Sequence, residues 1–160
     1  MILVVGAKGG VGTTTVAAAL VRALRGVGLD AADGQLAARL ERPALLLSEA
    51  AMERRTQDLV DRITRRHLSL VWSPECAFLS DLVMRLLRAL DERVDVVVDG
   101  GIEPPPELNG LCRQVVIVSD SENPVARYHE QRLAQKYPGA HIIHGAGKEQ
   151  LESLLTAIAR

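Results

Sequence analysis

Short apolar runs and longer amphipathic stretches alternate along almost the whole chain. The apolar runs are rich in Val, Ile and Leu and carry charge mainly at their ends, a pattern typical of strands buried on both faces of a sheet. Several runs are followed by Gly or Asp, which marks the beginning of a turn. The predicted strands span residues 1–5, 27–31, 68–72, 94–101, 113–120 and 140–145.

The stretches between these strands have apolar residues at the three- and four-residue spacing of an amphipathic helix. The predicted helices span residues 14–25, 44–54, 56–66, 78–93, 123–137 and 148–159. Alternating strands and helices predict an α/β domain of three layers, a mostly parallel sheet with helices on both faces. Since the sequence shows no linker or internal repeat, residues 1–160 are predicted to form a single domain.

Composition narrows the classes of function. With 48% hydrophobic residues, 24% charged residues and a net charge of −1, the chain lacks the basic surplus of a nucleic-acid-binding protein. Aromatic residues are only 2% of the sequence, which argues against a surface that stacks on bases. No apolar run approaches the ~18 residues of a membrane span. Cys76 and Cys112 belong to no recognisable pair, which favours reduced thiols and a cytoplasmic location.

The stretch GAKGGVGTTT, residues 6–15, carries the clearest chemical signal. It lies between a predicted buried strand and a predicted helix, where a glycine-rich loop can present backbone N–H groups to phosphate. The ordinary phosphate loop has lysine after its last glycine, but Thr13 follows Gly12 here. Thr14 takes the Ser/Thr place whose hydroxyl binds Mg²⁺. A connector that binds nothing is the alternative; a dinucleotide fingerprint would need glycine at position 15.

The same stretch resembles the deviant phosphate loop of the MinD/ParA ATPases, K-G-G-x-G-K-[ST]. Lys8 matches the signature lysine, which in that family reaches the partner's phosphates across a nucleotide-linked dimer. A small residue at position 13 followed by Thr-Thr is similar to the CpaE/TadZ pilus-assembly branch. The resemblance implies a shortened P-loop fold, ATP or ADP with Mg²⁺ as cofactors, and a homodimer. The nucleotide-binding residues that it implies are Lys8, Gly9, Gly10, Val11, Gly12, Thr13, Thr14 and Thr15.

The resemblance extends over most of the chain. Asp33 begins a segment similar to the family's D-x-Q, and VDVVVDGG is similar to the Walker B strand, with Asp99 as its acid. These matches imply Lys8 and Asp33 as catalytic residues, and Thr14 and Asp99 as Mg²⁺ ligands. His144 stands where the family commonly has the asparagine that reads adenine, so the base preference stays open. The segment DGGIEPPP also departs from the usual D-x-P-P-G that senses the terminal phosphate.

Several of these residues have simpler interpretations. An aspartate at a strand end often organises a turn, and Asp30 competes with Asp33 for the catalytic role. The arginines of residues 54–66 are interleaved with acids, so ion pairing explains them more simply than DNA binding. The last predicted helix lacks the basic face of a membrane-binding helix, so its leucines are expected in the core and membrane contact is at most peripheral.

Because position 13 lacks the usual lysine, both nucleotide binding and hydrolysis are expected to be weakened. One charged hydrogen bond to phosphate contributes about 1.5–3 kcal/mol, so binding is expected to weaken roughly ten- to a hundredfold. A cation at the transferred phosphate can be worth about 10³–10⁵ in rate. We therefore expect a nucleotide-binding switch or scaffold with slow or absent hydrolysis, acting with a protein partner in a larger assembly. The alternatives are an interaction module that has lost the nucleotide, and a small-molecule enzyme that uses ATP.

Overall fold

A computed structural model describes residues 1–158 of the chain. Its seven strands are β1 (Ile2–Gly6), β2 (Val27–Asp30), β3 (Ala44–Leu46), β4 (Ser69–Val71), β5 (Val96–Asp99), β6 (Gln114–Ser119) and β7 (His141–His144). Its seven α-helices are α1 (Thr13–Leu24), α2 (Gln35–Leu40), α3 (Leu47–Ala51), α4 (Thr56–Arg66), α5 (Ser80–Asp91), α6 (Pro124–Lys136) and α7 (Lys148–Ile158). Short 3₁₀-helices at Pro74–Ala77 and Pro106–Leu108 complete the elements.

All seven strands belong to one sheet in the order β3-β4-β2-β5-β1-β6-β7, and every pair is parallel. Consecutive residues of β1 face opposite sides: Ile2 and Val4 join one core, while Leu3 and Val5 join the other. Helices α1, α2 and α7 cover the first face. Helices α3, α4, α5 and α6 cover the second. The predicted three-layer α/β architecture is therefore confirmed, and the sheet is wholly parallel.

Two local predictions were wrong. Residues 44–54 were predicted to form one helix, but Ala44–Leu46 form the edge strand β3, which pairs with β4, and only Leu47–Ala51 are helical. Pairing with a strand far along the chain outweighs the local helix propensity of this leucine-rich segment. The sequence interpretation also omitted α2, which has only six residues. The predicted last helix is confirmed to Ile158, while residue 159 lies outside the described residues.

The simpler interpretations of the charged and apolar surface segments agree with the structure. Arg55, Arg62 and Arg65 each lie within ion-pair distance of a nearby acid. In α7, Leu154 and Ile158 are buried against the sheet, and Leu151 and Leu155 pack beside them. Among residues 1–158, no helix combines the length and the apolar character that crossing a membrane requires.

Candidate functional site

The parallel sheet brings the ends of β1, β2, β5 and β6 to one edge. In register, Asp99 of β5 lies beside Val4 of β1 and beside Asp30 of β2. On the other side of β1, Gly6 lies beside Val118. In a parallel sheet all carboxyl ends share one edge, where ligands of such folds bind. The loops after these four strands therefore meet around the glycine-rich segment.

The glycine-rich segment folds as a tight turn between β1 and α1. Gly10 and Gly12 have φ of 80° and 98°, the left-handed region that glycine adopts without steric cost. Gly6 leaves space for the turn, because a Cβ there would overlap the Thr13 hydroxyl. The Thr13 side chain is therefore directed down against the end of β1. This is the residue that stands where an ordinary phosphate loop has its lysine.

The backbone N–H groups of this turn have no protein partner. The first hydrogen bond of α1 runs from the Val16 N–H to the Gly12 carbonyl, 3.0 Å away. Within residues 1–158, the N–H groups of residues 8–15 donate to no backbone or side-chain acceptor. Such a run of free donors at the positive end of a twelve-residue helix favours a bound anion.

A cleft of about 660 Å³ opens beside the turn. It lies between the turn, the segment that follows β2 and the segment that follows β5. Predicted site residues that line it are Lys8, Gly9, Gly10, Gly12, Thr13, Thr14, Thr15 and Asp33. A volume of this size is within the usual range for small-molecule and cofactor sites. The structure thus brings together the catalytic candidates Lys8 and Asp33 and most of the predicted nucleotide-binding residues.

Asp99 is completely buried, next to Thr14 and just before Gly100 and Gly101, three residues that line the cleft. Its Oδ1 accepts a hydrogen bond from the Gly101 N–H at 3.3 Å, while its Oδ2 has no partner among the described residues. Burial raises the pKa of the Asp99 carboxyl, and the neighbouring Thr14 hydroxyl and the Gly101 N–H partly offset that rise. The negative charges of Asp30 and Asp33 raise the pKa further. A buried carboxylate oxygen without a partner is costly unless a ligand satisfies it.

The Thr14 hydroxyl and the Asp99 carboxylate are oxygen groups of the kind that bind Mg²⁺. The ion prefers oxygen ligands and is usually held by one or two protein side chains together with water and substrate phosphates. The Thr14 hydroxyl and the free Asp99 Oδ2 are such ligands. No group of three or more His, Cys, Asp or Glu residues that could hold a metal occurs within residues 1–158.

Asp30 at the end of β2 and Asp33 just after it have different surroundings. Asp30 is buried, and its carboxylate accepts hydrogen bonds from the N–H groups of Ala32, Gly34 and Leu36 at 3.0, 3.2 and 2.7 Å. It therefore organises the turn and the beginning of α2. Asp33 is exposed on the cleft wall, and its Oδ1 accepts a 3.3 Å hydrogen bond from the Gln35 N–H. The Asp30 carboxylate thus has three backbone partners, whereas Asp33 faces the cleft.

Val11 and His144 lie on the other side of the turn. Val11, Gly10 and His144 line a smaller hollow of about 270 Å³, together with Ser119 and Asp120 after β6. The Ser119 hydroxyl is buried and has no partner among residues 1–158. His144 is exposed at the rim, with its Nε2 3.1 Å from Glu130 Oε2. Val11 is therefore the one predicted nucleotide-binding residue that does not line the larger cleft, whereas Gly10 borders both.

The structure adds cleft residues that the sequence interpretation missed. Arg39 on α2 lines the cleft, as do Ile102 and Glu103 after β5. No ion pair within residues 1–158 includes Lys8 or Arg39, so the cleft wall holds two unpaired cations. Leu36 and Leu40, four residues apart in QLAARL, could have indicated the helix that carries Arg39.

Comparison of the chain with protein-family models gave no match, and comparison with curated proteins gave no significant match.

Proposed function

We propose that the protein is a MinD/ParA-like switch or scaffold that binds ATP or ADP with Mg²⁺ and hydrolyses ATP slowly or not at all. The free N–H groups of residues 8–15 in a strand–turn–helix segment are the observation that carries the proposal. A nucleotide's phosphates would accept hydrogen bonds from these groups. Asp99 and Thr14 would hold the Mg²⁺, which neutralises phosphate charge.

Slow hydrolysis follows from the charges around the cleft. Thr13 supplies no cation, and its hydroxyl lies close to Gly6 at the end of β1. Lys8 lines the cleft without an ion pair and remains free to reach the phosphates of a second copy, as the resemblance implies. Asp33 is exposed on the wall, where it would position the attacking water. Efficient turnover would therefore require a nucleotide-linked homodimer.

Isothermal titration with ATP, ADP and GTP, each with and without Mg²⁺, tests nucleotide binding. We expect micromolar to sub-millimolar dissociation constants for ATP and ADP, with tighter binding when Mg²⁺ is present. Including GTP addresses the base, because His144 stands where an adenine-reading asparagine is expected. Absence of binding at millimolar concentrations of all three nucleotides would refute the proposal and favour an interaction module.

Light scattering with a non-hydrolysable ATP analogue tests the dimer. The analogue is expected to convert a monomer to a dimer, and Lys8→Ala is expected to prevent dimerisation while the monomer still binds the analogue measurably.

The proposed role is to position or assemble a larger machine in the cytoplasm, such as a pilus, secretion or partitioning complex, through a protein partner. The unpaired Cys76 and Cys112 thiols are consistent with a reducing compartment.

A further inference from the structure

A second cation besides Lys8 lines the cleft within the same copy of the chain. In an ordinary phosphate loop, the lysine after the last glycine contacts the terminal phosphates. Here Thr13 stands at that position, and its hydroxyl lies over Gly6. Lys8 and Arg39 are the cations among the residues that line the cleft. Because the proposed role of Lys8 is to reach a second copy, Arg39 remains to neutralise phosphate within the same copy.

Helix α2 holds Arg39 in a defined position. Leu36 and Leu40 are buried on the sheet, and they pack so closely over β2 that a Cβ on Gly28 would be 3.0 Å from each of their side chains. The Asp30 carboxylate fixes the beginning of the helix through the Leu36 N–H. Gln35 and Arg39 are four residues apart, which places them on one face of the helix, and both line the cleft.

The Arg39 guanidinium is free to bind a ligand. The residue is exposed, and no ion pair or side-chain hydrogen bond within residues 1–158 uses its guanidinium. Its backbone carbonyl accepts a hydrogen bond from Arg22, which anchors the end of α2 to α1. Arginine presents a planar set of donors that matches phosphate oxygens, and it keeps its charge at every physiological pH.

The cleft residues also indicate which phosphate Arg39 would contact. Arg39 lines the same cleft as Asp33 and Thr14, and Thr14 neighbours Asp99, whereas the hollow lined by Val11 and His144 lies across the turn. If Thr14 and Asp99 hold Mg²⁺, the ion would neutralise charge on the terminal phosphates, so these phosphates would lie beside those two residues. Resting on the proposed function, we propose that Arg39 binds the terminal phosphate of a nucleoside triphosphate in cis and makes the site prefer ATP to ADP.

Isothermal titration of Arg39→Ala with ATP and with ADP, with Mg²⁺ present, tests this inference. We expect ATP affinity to fall about ten- to a hundredfold, while ADP affinity changes less than about threefold. Arg39→Lys should recover only part of the ATP affinity, because lysine keeps the positive charge but lacks the paired donors of arginine. Arg85→Ala is the matched control, because Arg85 is exposed on α5, on the opposite face of the sheet, and belongs to no ion pair of the described residues.

The outcomes separate this inference from the proposal on which it rests. If the wild-type protein binds neither nucleotide, the proposed function fails and the inference fails with it. If the wild-type protein binds both and Arg39→Ala behaves like Arg85→Ala, the inference alone is overturned. Equal losses for ATP and ADP would also overturn it, because they would place Arg39 away from the terminal phosphate. Thermal unfolding of each variant excludes a loss of fold as the cause.

Discussion

Replacing Asp99 by asparagine is expected to stabilise the nucleotide-free protein and to abolish the effect of Mg²⁺ on nucleotide binding. The Asp99 carboxylate is fully buried, and its Oδ2 has no partner among residues 1–158. Asparagine keeps the acceptor for the Gly101 N–H and removes the charge that burial disfavours. Since leaving a buried group unsatisfied costs about 1–3 kcal/mol when it is neutral and more when it is charged, replacing the carboxylate by a neutral amide is expected to gain about 1 kcal/mol. For a domain of this size, that gain raises Tm by about 2–4 °C.

Asp30→Asn is the matched control, and it is expected to change Tm in the opposite direction. Asp30 lies beside Asp99 in the sheet and is also buried, but its two carboxylate oxygens accept three backbone hydrogen bonds. An amide nitrogen in place of one oxygen leaves at least one of these N–H groups unsatisfied, at a cost of about 1–3 kcal/mol. Tm should therefore fall in Asp30→Asn and rise in Asp99→Asn.

Thermal unfolding monitored by circular dichroism in EDTA measures both changes, and titration with ATP measures the second effect of Asp99→Asn. The wild-type protein should bind ATP more tightly with Mg²⁺ than without it, and Asp99→Asn should bind equally in both conditions. A lower Tm for Asp99→Asn in EDTA would refute the reasoning, because it would show that the buried carboxylate already has a stabilising partner.

Three further predictions concern the turn and one thiol. Thr13→Lys should restore the ordinary lysine, tightening ATP binding about ten- to a hundredfold in titration and increasing phosphate release. Gly12→Ala should lower the free energy of unfolding in urea by more than the ~1–2 kcal/mol cost of a left-handed φ, because its Cβ would also lie 3.3 Å from Ala146 Cβ. Burial raises the pKa of the Cys112 thiol to about 11, so its thiolate fraction at pH 8 is roughly a hundredfold smaller than that of an ordinary thiol of pKa 9.0, and iodoacetamide should label it more slowly.

The controls for these predictions come from the same chain. Ala23→Lys adds the same charge near the exposed end of α1, far along the helix from the turn, and should leave ATP affinity unchanged. Gly10 has a similar positive φ, but a Cβ added there would have no atom within 4 Å. Gly10→Ala therefore measures the free-energy cost of the left-handed backbone alone. Equal effects of Gly10→Ala and Gly12→Ala would contradict the second prediction. Rapid labelling of Cys112 in the folded protein at pH 8 would contradict the third.

The sequence predicts the central part of the fold because its elements have strong local signals. Strands β1, β5 and β6 are continuous apolar runs, and α1 is rich in alanine and leucine between a glycine turn and Gly26. The positions of Lys8 and the glycines follow from the same segment, since a turn between a buried strand and a helix must lie at the carboxyl edge of the sheet. These elements alone therefore locate most of the candidate site.

The parts that sequence patterns did not predict depend on contacts between distant residues. Strand β3 has three residues and becomes a strand by pairing with β4, and no local pattern predicts that pairing. Helix α2 is too short to be stable by propensity alone, and it depends on the Asp30 carboxylate and on packing over Gly28. Arg39 was missed for the same reason, because its place in the cleft follows only from the orientation of α2.

The central claim is that the free N–H groups of residues 8–15 bind phosphate without a lysine at position 13. Titration of the ¹⁵N-labelled protein with Mg²⁺–ATP, followed by amide chemical shifts, tests this most directly. We predict large, saturable changes in the amide chemical shifts of Gly9, Gly10, Gly12 and Thr14. The amide chemical shifts of helix α4 should not change. Unchanged turn amides at millimolar nucleotide would contradict the claim, and saturable shifts confined to another surface would contradict it equally.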